Sequence, residues 1–132
     1  MASFTTSTQE GPTRTWLSRG TGLDIAVKTL ALSFDGSILA AGMPQNDEKG
    51  SYAGQVRVLK WNNTQEEWVQ LGQSLYPSDP QGDGSFSFIT FGGSVAMNRQ
   101  GSVLAVGATR QDTSNGVNSG RVQVFQYSES SA

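Results

Sequence analysis

The chain contains no cysteine and no histidine. Without cysteine there is no disulfide and no thiolate nucleophile. Without histidine there is no imidazole base, and the loss of both residue types removes the usual zinc ligands. A dominant charge is also missing: 9 Lys and Arg stand against 11 Asp and Glu. No basic cluster is present, which argues against a nucleic-acid partner. No apolar run approaches the roughly 20 residues of a membrane-spanning helix. Residues 1–14 are polar, lack the apolar centre of a secretory signal and are expected to form an unstructured tail. Carboxylates, Lys, Tyr and Ser–Lys pairs are the only catalytic chemistry left, so the expectation is a protein that is not an enzyme and needs no cofactor.

What is abundant is glycine, at 16 residues, together with Ser, Thr, Asn and Gln; hydrophobic residues make up only 36%. That mixture suits short strands joined by many turns rather than long helices. Laying residues 30–61 over 95–127 reveals an internal duplication. The offset is 65 up to Asp47/Asp112 and 66 from Gly50/Gly116 onward. Eleven aligned pairs are identical, among them Ala31/Ala96, Gly36/Gly101, Leu39/Leu104, Gly42/Gly107, Val56/Val122 and Val58/Val124. Leu59/Phe125 and Trp61/Tyr127 are conservative pairs. A fainter echo links residues 16–20 (WLSRG) to residues 68–72 (WVQLG).

Each copy carries strand signals. The first falls at 29–33 and 94–98, followed by the tight-turn dipeptides Asp35-Gly36 and Gln100-Gly101. The second, at 38–43 and 103–108, is almost continuously small and apolar, as in a strand covered on both faces. The third, at 55–61 and 121–127, alternates. A fourth appears at 67–72 only, and residues 15–20 look like its orphan counterpart, able to close the second copy beside 121–127. The domain is expected over 15–127, with copy one at 29–72, copy two at 94–127 and a short tail at 128–132.

These residues resemble the FG-GAP-like repeats related in pattern to the integrin α-subunit β-propeller. The resemblance rests on ALSFDGSILAAGMP at 31–44, AGQVRVLKW at 53–61, WVQLG at 68–72 and FGGSV at 91–95. It implies an all-β protein of two tandem four-stranded antiparallel blades; a small β-sandwich is the alternative. Propellers need four to eight blades, so two blades imply either a ring formed by self-association, which is the expectation, or a stretch of a longer array. The D-x-D-x-D-G calcium loop of the integrin type is absent, which leaves only a weak expectation of calcium. An extracellular location follows from the family analogy alone, beside a glycosylation sequon at Asn62-Asn63-Thr64.

The meander puts the connections 20–28, 44–53, 73–93 and 109–119 on one side, and long loops on a rigid sheet are where binding concentrates. Asp47 and Asp112 hold equivalent places there, as turn caps or as ligands of a cation or hydroxyl. Asp79 and Asp83 lie in a Pro/Gly loop and could hold a hard cation. Phe86 and Phe88 would pack, contact another copy or meet a ligand. The expectation is therefore a non-catalytic binding or assembly module for a protein or glycan ligand. Carbohydrate recognition is the runner-up. A hydrolase built on Asp83 and Asp112 would need its two carboxylates ~5–9 Å apart.

Overall fold

The computed structural model describes residues 14–78, 88–109 and 120–129. They form seven strands: β1 (Thr29–Leu32), β2 (Ile38–Met43), β3 (Gln55–Asn62), β4 (Glu67–Gln70), β5 (Phe91–Met97), β6 (Val103–Ala108) and β7 (Arg121–Gln126). Two antiparallel sheets result, ordered β1-β2-β3-β4 and β5-β6-β7, with no helix among the described residues. The protein is all-β, and neither sheet closes on itself.

The hairpin turns explain the strand ends. At β1–β2 the Gly36 amide donates to the Ser33 carbonyl at 3.0 Å; at β5–β6 the Gly101 amide donates to the Asn98 carbonyl at 3.1 Å. Both glycines sit at positive φ, 73° and 75°, where a Cβ would be strained. Their ladders match too: Trp61 N–H donates to Ser37 O, and Tyr127 N–H to Ser102 O, both at 2.8 Å. The side chains that hold the turns differ. Asp35 accepts from the Ser37 hydroxyl at 2.7 Å, the Ser37 amide at 3.0 Å and the Ser33 hydroxyl at 3.1 Å. In the second sheet Asn98 does this work, accepting from the amides of Ser102 and Val103.

Strands β2 and β6 have the bounds read from the sequence, whereas β5 begins at Phe91 rather than at Ser94. A register shift between Phe91 and Ser94, with Gly92 at φ 96°, extends it. Residues 15–20 form no strand, and among the described residues β7 pairs with β6 alone. The expected closing strand beside β7 is therefore not found. A strand pattern needs a ladder partner to satisfy its amides, and this one has none.

The sheets stack face to face. Alternation along the strands puts Ala31, Ala40, Gly42, Val56 and Val58 on the inward face of the first sheet. Val95, Met97, Leu104, Val106 and Phe125 face them from the second, around the fully buried Phe91. Phe91 meets Phe125 edge-on at 6.1 Å, and its burial is worth roughly 2–3 kcal/mol. The start of β5 lies close against β1 and β2, and there Thr29 Oγ1 donates to Gly92 O at 2.7 Å. Gly42 is required there, because a Cβ would run into Gly92 O and Thr29 Oγ1. Towards β3 and β7 they diverge around a cleft of about 370 Å³.

The faces that meet are not equivalent ones. Val56 and Val58 point inward, but their aligned partners Val122 and Val124 lie on the outer face, 69% and 66% exposed. Conversely Val95 and Met97 pack on the core, while the aligned Leu30 and Leu32 are exposed.

Candidate functional site

The connection 44–53 folds as successive turns around Asp47. Gly50 N–H donates to the Asp47 carbonyl at 3.1 Å, and Tyr52 N–H to its carboxylate at 3.0 Å. Asp47 is thus a turn cap in this structure, as Asp residues in such loops commonly are. Asn46 performs a similar service, accepting from the Glu48 amide at 3.0 Å.

The end of the β4–β5 connection runs alongside this loop. The amides of Phe88, Thr90 and Phe91 donate to the carbonyls of Ser51, Tyr52 and Ala53 at 2.6, 2.8 and 2.9 Å. Gly54 completes the junction at φ 99°, where a Cβ would meet the Phe91 backbone. The ladder sets Tyr52 and Phe88 side by side, centroids 5.8 Å apart and planes tilted by 59°. Both residues have positive φ, 56° and 62°. Side chains rarely adopt that conformation, and its cost is met by the surrounding bonds. Phe88 is 52% exposed, so the pair forms an open aromatic edge beside Asp47. Asp47 and Phe88 were legible as candidates, and each contacts Tyr52, Asp47 through the Tyr52 amide and Phe88 through its ring. Asp79, Asp83, Phe86 and Asp112 lie outside the described residues.

Beneath the loop lies a polar cluster that sequence reasoning missed. Gln55 is fully buried at the start of β3. Its amide nitrogen donates to Tyr76 Oη at 2.7 Å and Glu48 Oε1 at 3.3 Å; its carbonyl oxygen accepts from Arg57 Nε at 3.1 Å. Tyr76 in turn donates to Glu48 Oε2 at 2.8 Å. Burial, and then the bond to Glu48, raise the Tyr76 pKa above its ordinary 10.0. The Lys49 ammonium lies 5.0 Å from the Tyr76 ring centre. Gln55 and Tyr76 are 21 residues apart and belong to no periodic pattern. A buried Gln with all its polar atoms engaged fixes the loop's footing rather than offering a reactive group.

The intersheet cleft is chemically different. Val58, Leu71, Leu75, Met97, Leu104 and Phe125 line its walls, Tyr127 closes its rim, and among the described residues no Asp, Glu, Lys or Arg faces it. Among the described residues no three His, Cys, Asp or Glu side chains gather as metal ligands, and no helix is long and apolar enough to cross a membrane. No protein-family model matches the chain, and no curated protein is significantly similar to it.

Proposed function

We propose that the chain is a non-catalytic binding and assembly module whose two sheets act as successive blades of a β-propeller-like ring completed by self-association. One observation carries this reading: aligned positions lie on opposite sides of the stack. Two sheets paired as a closed sandwich can bury their matching faces against each other and leave polar outsides. Here the inward face of one sheet meets the other kind of face on its neighbour, as in a series that continues. Both outer faces consequently carry exposed apolar residues, Leu30 and Leu32 on one side and Val122 and Val124 on the other. The wedge between the sheets, tight where β1 and β2 meet β5 and open toward β7, suits blades arranged around an axis.

The functional face would be the loop side, with Asp47, Tyr52 and Phe88 held on the rigid footing of Gln55. Light scattering tests the assembly: a mass of two or more chains supports it, and one chain's mass at high concentration refutes it. The open Tyr52–Phe88 edge beside Asp47 favours carbohydrate as ligand, since a sugar stacks on aromatic faces and hydrogen-bonds to carboxylates. A glycan array probed with the wild-type chain and Tyr52→Ala decides this. Binding lost in the variant supports it, and no binding by the wild type removes it.

A further inference from the structure

The segment that forms no strand has an unexpected position. Gly20 sits at positive φ, 82°, against the Trp61 ring, which a Cβ there would approach to 3.3 Å. Gly72, its aligned echo, sits at φ 78° against the Tyr127 ring, to which the corresponding distance is 3.5 Å. Trp61 and Tyr127 are themselves aligned. The end of the 15–20 segment therefore rests on the first sheet as the chain just past β4 rests on the second. Arg19 reinforces the placement: its guanidinium lies 5.2 Å from the Trp61 ring centre, and its carbonyl accepts from Trp68 Nε1 at 3.3 Å. The segment stands where the fourth strand of a sheet preceding β1–β4 would stand, and the described residues contain no such sheet. Among the described residues the second sheet has three strands, and its β7 edge pairs with no further strand.

We infer that a second copy of this chain supplies the missing sheet: its β5-β6-β7 sheet docks on the exposed Leu30–Leu32 side of the first copy, and the first copy's residues 15–20 pair with its β7. This rests on the assembly reading and gives it a geometry. The contact continues the interface already buried within one chain. The second copy's Val122 and Val124 would face Leu30 and Leu32, as Val56 and Val58 face Val95 and Met97 inside it. Both sides of the contact are open in the single chain. Trp16 is 98% and Leu17 86% exposed, far beyond what a solvated strand requires of its apolar residues. One neighbour thus satisfies two unmet demands, a face without cover and an edge without a partner. The contact is heterologous, so it either closes into a ring or propagates.

The register follows from that of β3 and β4. There Leu59 pairs with Gln70, Lys60 with Val69 and Trp61 with Trp68. The echo transfers this to Phe125 with Ser18, Gln126 with Leu17 and Tyr127 with Trp16. The chain has no native cysteine, so Leu17→Cys and Gln126→Cys can be placed on separate molecules. Mixing the two variants under mild oxidation is expected to give a disulfide dimer in large excess over either variant alone. An oligomeric mass without the mixed disulfide would overturn this docking and leave the assembly reading standing; a single-chain mass would overturn both. Val124 lies outside the core, and Val124→Lys is expected to lower the mass to one chain with the circular dichroism unchanged. A Val124→Lys protein with the wild-type mass also counts against the proposal.

Discussion

The two sequence copies share eleven identical aligned positions, yet the sheets they form are finished differently. The first has four strands, a turn held by Asp35, and an outer face on which Ala41, Met43 and Leu59 are already buried. The second has three strands, a turn held by Asn98, and an outer face that is bare. Similar sequence has produced similar ladders, but burial depends on what stands opposite each ladder. The same valine is core in one copy and surface in the other.

Aligned substitutions can break this comparison. The largest difference is expected for Val56→Ala against Val122→Ala. Val56 is fully buried, so its truncation should cost about 2–3 kcal/mol in transfer and cavity terms. Val122→Ala should stay within about 0.5 kcal/mol in dilute solution. Urea denaturation of both variants measures the contrast; equal losses would mean that the two valines share one environment.

A smaller difference separates the turns. Gly36→Ala and Gly101→Ala both force a side chain into positive φ, costing about 1 kcal/mol. Gly36 faces open space, whereas a Cβ at Gly101 would come within 2.8 Å of Ile38 Cδ1 across the sheets. Gly101→Ala should therefore lower stability by about 1 kcal/mol more, through overpacking. Thermal melts of the two variants check the order.

The smallest effects are pH-dependent. Hydrogen bonds from the Ser37 hydroxyl, the Ser37 amide and then the Ser33 hydroxyl hold the Asp35 pKa below its ordinary 3.8. A lowered carboxylate pKa stabilises the fold above 3.8, and that contribution fades as pH falls through the folded-state value. Asp35→Asn should flatten acid unfolding below pH 3.8, and Gln100→Ala should not. Tyr76 has the opposite sense. Its raised pKa means that the folded state holds its proton longer, so stability falls as pH rises above 10.0. Tyr76→Phe should reduce that alkaline loss, as denaturation at pH 9 and pH 11 would reveal.

The ladders were legible because strands leave local marks. The continuous small apolar runs set β2 and β6, and Asp35-Gly36 and Gln100-Gly101 set the hairpins. The bulge that lengthens β5 depends on Gly92 fitting beside Met43 and Val56, a contact between distant segments. The site was half legible for the same reason. Asp47 and Phe88 stand out within their loops, while Gln55, Glu48 and Tyr76 acquire meaning only when folding joins them. Residues 15–20 carry a strand-like pattern and form no strand, because pairing is a property of two segments and the sequence of one cannot supply the other.

Hydrogen exchange along β7 addresses the central claim, that this edge and face are filled by another copy. Tyr127 N–H is bonded to Ser102 O, so alternation turns the Val122, Val124 and Gln126 amides to the free edge. The account predicts that these three amides exchange slowly at concentrations where the chain associates and quickly on dilution. Fast exchange at every concentration, in a protein that scatters as more than one chain, would contradict it.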